Sequence, residues 1–139
     1  MRKIAYFLVC FLVIARLLTS CSAEASRGSI LRYVENHQEE LEERVERADF
    51  EGIGYPVLEV NAAEECIEFE CGGSGFGPET SYWGFFYSAE DNIHAVWCAP
   101  PRGTLRPDGD GWSWQESDGD NEYYIQHIVG HFYYYEASF

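Results

Sequence analysis

The aromatic residues of the second half of this chain constrain its fold more than any other feature. Phe, Trp and Tyr make up 17% of the sequence. From Tyr82 onward they come in close-set groups: Tyr82-Trp83-Gly84-Phe85-Phe86-Tyr87, Trp112-Ser113-Trp114 and Tyr133-Tyr134-Tyr135. Such side chains suit a pleated surface with at least one buried face, so this half is expected to form strands. Glu65 to Cys71 shows the period directly. Ile67, Phe69 and Cys71 fall on one face and Cys66, Glu68 and Glu70 on the other, the pattern of a half-buried antiparallel strand. Tyr82 to Ser88 is apolar on both faces and is placed centrally in the sheet.

Further strands are read at Pro56 to Val60, at Ile93 to Cys98 as a return from the polar turn Ala89 to Asn92, and at Trp112 to Glu116. A last hairpin, Tyr123 to Ile128 and His131 to Ala137, closes around Gly130. Gly72 to Pro78 reads as a turn-rich connection. Ala99 to Gly111, with Pro100-Pro101 and Pro107, reads as a loop. Ahead of the strands, Ser29 to Ala48 has the helical period. Ile30, Val34, Leu41, Val45 and Ala48 share one face with His37, and a run of Glu and Arg faces water. Ser26 or Ser29 can cap its start, and Gly52 and Gly54 punctuate its end. The expected fold is α+β: one N-terminal helix packed on an antiparallel meander of about five strands, with residues 29–139 as a single domain.

The first residues have another purpose. Arg2 and Lys3 precede twelve apolar residues, Ile4 to Ala15, a run of the length of a signal-peptide core and short of the ~20 residues of a membrane span. Leu18-Thr19-Ser20-Cys21 resembles a bacterial lipobox, with small side chains before the cut and a thiol to take the lipid. Residues 1–20 are therefore expected to be a lipoprotein signal, Cys21 the lipidated residue, and 21–28 a tether. Ala23-Glu24-Ala25 offers a rival cut that would release a soluble protein, and an uncleaved N-terminal anchor is a third reading. The expected location is the extracellular face of a bacterial cell membrane, with secretion as the alternative.

Charge narrows the partners. The chain has nine basic and 24 acidic residues. Removing residues 1–20 takes away Arg2, Lys3 and Arg16 and no acid, which leaves six arginines, no lysine and a formal charge of −18. Such a chain repels nucleic acid and carries no polybasic membrane patch. The partners expected are the membrane, through the lipid, and a basic protein.

No motif specifies chemistry. Cys66 and Cys71 lie roughly 16 Å apart along one strand, on opposite faces. In a simple meander Cys71 and Cys98 would flank a central strand at about 9.6 Å, beyond the ~7 Å reach of a disulfide. Cys66, Cys71 and Cys98 are thus expected to be unpaired. His94, His127, His131 and Cys98 lack the tight spacing of a zinc site. A calcium loop starting at Asp108 would place Trp112 and Gly119 where oxygen ligands belong, and one starting at Asp118 would end on Val129. The glycine run 72–77 lacks the Lys-Ser/Thr of a phosphate loop. Ser74 is outside a nucleophile elbow. No catalytic residue, metal or cofactor is assigned. Trp112 and Trp114, pointing the same way beside a loop, are the candidates for exposed binding aromatics.

Cys71-Gly72-Gly73-Ser74-Gly75-Phe76-Gly77, Tyr82 to Ser88 and the ending Phe132-Tyr133-Tyr134-Tyr135-Glu136-Ala137-Ser138-Phe139, together with the signal, resemble a group of short, uncharacterised lipoproteins of anaerobic Gram-positive bacteria. The resemblance implies bacterial export and brings no activity. The function expected is a lipid-anchored, non-enzymatic binding or envelope-associated domain. One alternative is a small secreted enzyme acting on envelope polymers with acids among Glu68, Glu70, Glu116 and Glu122. The other is an inhibitor or immunity-type protein with an acidic binding face.

Overall fold

A computed structural model describes residues 25–76 and 79–139; the signal, the lipobox and Cys21 lie outside the described residues. Ser26 opens the first helix, α1 (Arg27–Asn36), its side-chain oxygen accepting from the backbone N–H of Ser29 at 3.3 Å. At His37 the backbone leaves helical geometry, with φ −120° and ψ 19°. The ring turns back, with Nδ1 2.8 Å from the Tyr33 carbonyl oxygen and the two rings stacked at 4.5 Å. The chain restarts as α2 (Gln38–Arg47) and stops at Ala48, which adopts the left-handed conformation at φ 49°. The apolar stripe survives the break: Ile30, Val34 and Leu41 are buried against the sheet. Glu40–Arg44 and Glu43–Arg47 pair along the solvent side of α2.

Seven strands follow: β1 (Glu59–Ala62), β2 (Ile67–Phe76), β3 (Glu79–Tyr87), β4 (Arg106–Asp108), β5 (Gly111–Gln115), β6 (Glu122–Val129) and β7 (Phe132–Ser138). They form one antiparallel sheet in the order β1-β2-β3-β7-β6-β5-β4. The expected single helix on a meander of about five strands is therefore wrong: the described residues form two short helices and a seven-stranded sheet. Physically, it is two meanders joined side by side. β1 to β3 run out in sequence order, the chain then crosses to the far edge, and β4 to β7 return until β7 pairs with β3.

The crossing segment, residues 88–105, explains why β3 and β7 are apolar on both faces. It contains the stretch Ile93 to Cys98 expected as a strand, yet that stretch coils through turns. The N–H of Ala95 bonds the Asn92 carbonyl and that of Ala99 the Val96 carbonyl, both at 3.0 Å. Ile93, Ala95, Val96, Cys98 and Leu105 lie down on the sheet instead of pairing within it. Two cores result. Under the helices Phe69, Phe85, Phe132 and Tyr134 pack with Ile30, Val34 and Leu41. Under the crossing segment Phe86, Tyr123, Ile125, Tyr133 and Tyr135 pack with Val96, Cys66 and Cys98. Cys71 belongs to the first core and the other two cysteines to the second, so Cys66 and Cys71 do face opposite ways; all three thiols are free in this structure.

A bulge between Glu70 and Gly72 presses the β2 backbone toward β3 at Gly84. A Cβ on Gly84 would come within 2.2 Å of the Phe69 carbonyl oxygen, so only glycine fits there.

Candidate functional site: an acidic hollow on the open sheet face

The helices cover only part of their face of the sheet. Beyond Arg27 two rows of side chains cross the strands uncovered. The register aligns Ser113, Tyr124, Glu136 and Trp83 in one row, and Gln115, Glu122, Ser138 and Ser81 in the next. Alternate residues of a strand share a face, so both rows point the same way. Of these rows Ser113, Tyr124, Glu136, Gln115, Glu122 and Ser138, with the β4–β5 turn, border a hollow of about 550 Å³. Among the described residues Asp108, Asp110, Glu122 and Glu136 line it with a single cation, Arg27.

That cation is already engaged. The Arg27 guanidinium lies 4.2 Å from the centroid of the Tyr124 ring, hydrogen-bonds the Tyr124 hydroxyl, and donates through Nε to Gln126 Oε1 at 3.2 Å. Its planar fork is held against the wall, which leaves the carboxylates to set the potential of the hollow. Two of these are themselves steadied. Glu136 Oε2 accepts from the Tyr134 hydroxyl at 3.1 Å, and Glu122 Oε1 from the Gln115 amide at 3.2 Å. Burial, and then Glu136 itself, push the Tyr134 phenol well above its ordinary range, so it stays protonated and remains a donor. The hollow thus offers fixed acceptors on rigid strands. Among the described residues neither histidine nor cysteine lines it.

A second hollow, of about 680 Å³, borders the crossing segment. It too has four carboxylates, Glu64, Glu65, Glu90 and Asp91, with one arginine, Arg102, beside His94. These residues sit on loops. Asp91 is held by His131 Nδ1 at 2.8 Å and by the Tyr133 hydroxyl at 3.0 Å. Those two hydrogen bonds lower its carboxyl below the usual range.

The residues singled out from sequence scatter around these sites. Trp112 and Trp114 are half-buried and pack into the core beneath the crossing segment; Trp114 also lines the first hollow. Among the described residues the large exposed aromatics are Tyr55, Phe76 and Trp97. Of the four candidate acids, Glu122 alone lines the first hollow. Glu116 is exposed near the β5–β6 turn. Glu68 is buried on the opposite face, where Trp97 Nε1 and the Tyr135 hydroxyl both donate to its Oε1. Glu70 follows on the same side of β2, and burial together with Glu59 and Glu68 raises its pKa.

His94, His127 and His131 each meet a neighbour of their own: the Pro100 carbonyl, the Gly130 carbonyl and Asp91. Among the described residues no three His, Cys, Asp or Glu side chains gather as metal ligands, and no helix is long and apolar enough to cross a membrane. Sequence reading missed Arg27, Tyr124 and Glu136. Glu136 and Ser138 were legible as the polar phase of an alternating strand, and Tyr124 as one of its neighbours across the sheet. Arg27 was not, because it fell in the segment read as tether, whereas α1 begins on it. No family model, curated protein or solved structure matches this chain.

Proposed function

We propose that this is an exported, lipid-anchored cell-surface domain that acts by binding, and that its acidic hollow holds a cationic segment of a protein partner. The observation that carries this reading is the charge balance of the first hollow among the described residues: three carboxylates on strands and a fourth, Asp110, in the β4–β5 turn, against one arginine already bound to Tyr124 and Gln126. A ligand ammonium or guanidinium entering there meets acceptors whose orientation is set in advance, which lowers the ordering cost of binding. The mature chain's formal charge of −18 adds long-range attraction for a basic partner. This reading absorbs the inhibitor or immunity-type alternative, which asks for the same acidic face. The anchor rests on Leu18-Thr19-Ser20-Cys21 and on the apolar run before it.

Two measurements test the proposal. An arginine-rich peptide titrated against the purified protein is expected to bind with an affinity that falls steeply with salt. Glu122→Gln with Glu136→Gln is expected to weaken it about 3- to 10-fold, as loss of two partly exposed ion pairs implies. The same exchange at Glu43 and Glu46 on α2 should change little. Equal losses from both pairs would mean that the hollow is not the site. For the anchor, Cys21→Ala should abolish membrane association while export persists; unchanged association would refute lipidation at that residue.

A further inference from the structure

Cys66 and Cys98 lie outside the acidic hollow and belong to one buried cluster beneath the crossing segment. Cys66 immediately precedes β2. Cys98 lies in the turn that the Ala99 N–H closes on the Val96 carbonyl at 3.0 Å. Both are buried, and both belong to one core cluster with Phe86, Tyr123 and Tyr135. The Cys66 thiol donates to the carbonyl of Ala95, at 3.4 Å, so its sulfur already touches the turn region that carries Cys98. Tyr123 contributes a further observation. It is 3% exposed, and its hydroxyl, in the same cluster as the two sulfurs, has no hydrogen-bond partner among the described residues. Cys71 is excluded, because it packs on the other side of the sheet with Phe69 and Phe85.

We infer that Cys66 and Cys98 are a disulfide-forming pair that fastens the crossing segment to the start of β2. The reaction needs an oxidant, which is a second disulfide: a small one such as glutathione disulfide, or a protein thiol-oxidant. One cysteine, as thiolate, attacks a sulfur of that disulfide. A mixed disulfide forms and one thiol of the oxidant leaves. The other cysteine then attacks the sulfur of its partner, the intramolecular bond forms and the second thiol leaves. Two protons and two electrons pass from the pair to the oxidant, which ends as two thiols.

The folded core slows this reaction. Burial and then Glu68 push Cys66 up to about 11 and Cys98 up to about 12, so the buried pair supplies little thiolate. The bond therefore forms while the chain folds, before the crossing segment closes, and burial then shields it from reductants. A reduced buried cysteine is an ordinary core residue. Here there are two, one immediately before β2 and one on an irregular segment laid over the sheet, which is where a cross-link restricts the unfolded chain. The inference does not depend on the function proposed above, since either disulfide oxidant suffices in vitro.

Thiol mapping of the full chain tests it. The protein is refolded with oxidised and reduced glutathione, quenched with iodoacetamide under denaturing conditions, and digested without reduction. The expected result is a linked pair of peptides carrying Cys66 and Cys98, two hydrogens lighter than the separate peptides, with Cys71 alkylated. Cys71→Ser should leave the link in place, and Cys66→Ser should return Cys98 to alkylation. Full alkylation of Cys66 and Cys98 in the refolded wild-type chain, or a link from either to Cys71, would overturn the inference. The wild-type map decides alone if a variant does not fold.

Discussion

The Tyr135 hydroxyl reaches over β3 to donate a 2.5 Å hydrogen bond to Oε1 of Glu68 on β2. The reach is open because Gly84, the register partner of Tyr135 on β3, has no side chain in the way. Glu68 is 6% exposed, and Trp97 Nε1 is its other donor. A buried carboxylate of this kind tolerates burial only while its donors are present. Tyr135→Phe is therefore expected to destabilise the fold by about 1–3 kcal/mol, read as a lower urea midpoint with an unchanged slope. Glu68→Gln, which keeps an acceptor oxygen for Tyr135, should cost less than Glu68→Ala.

Gly84 makes a sharper prediction. A methyl group there meets backbone rather than a movable side chain. Gly84→Ala should lower stability by about 1–3 kcal/mol or more, the cost of overpacking. Gly28, in the first turn of α1, has no atom within 4 Å of an added Cβ. Gly28→Ala should instead raise stability by about 0.5–1 kcal/mol. Thermal unfolding of the two variants would show opposite shifts; a stable Gly84→Ala would mean that the β2 bulge relaxes.

These two glycines also mark how far the sequence could be read. β2 and β6 were visible because Ile67, Phe69 and Cys71, and then Tyr123 and Ile125, recur at every second position, and β7 because Phe132 to Tyr135 is an unbroken aromatic run. β4 was not, since Arg106-Pro107-Asp108 is an exposed edge with no apolar residue to set a phase. Residues 93–98 misled for the opposite reason: a segment that covers a sheet needs the same apolar residues as a strand within it, and periodicity does not separate the two. The order of strands depends on which hairpin docks beside β3, a contact between distant parts of the chain. The break at His37 leaves the apolar stripe intact, so it is silent in the pattern of Ile30, Val34 and Leu41.

Trp112 separates a packing role from a binding role. It was expected at the surface and is half-buried, opposite Ile125 in the register and against the second core. Trp112→Ala should cost about 2–3 kcal/mol, short of the ~3–5 for a fully buried tryptophan. It should leave binding of the arginine-rich peptide unchanged under conditions where the variant is folded. Weaker binding by a folded Trp112→Ala protein would show that this ring contacts the ligand.

Tyr133 predicts how the fold fails in alkali. Burial, then the hydrogen bond to Asp91 and its negative charge, push the phenol up to about 12. An unfolded tyrosine ionises near ~10. The folded state thus binds the proton more tightly than the unfolded one. The stability this provides is fully present below pH ~10 and is lost as pH rises through the folded value. Cys71, pushed up to about 12 by burial and then Glu70, acts in the same direction from the other core, its loss starting nearer the ordinary thiol range. The urea midpoint should therefore fall across this alkaline range. In Tyr133→Phe, with no phenol to ionise at that site, the fall should be shallower, although the variant starts lower at neutral pH because Asp91 has lost a donor. An equally steep fall in Tyr133→Phe would assign the alkaline limb to the other buried groups, Tyr134, Tyr135 and Cys71.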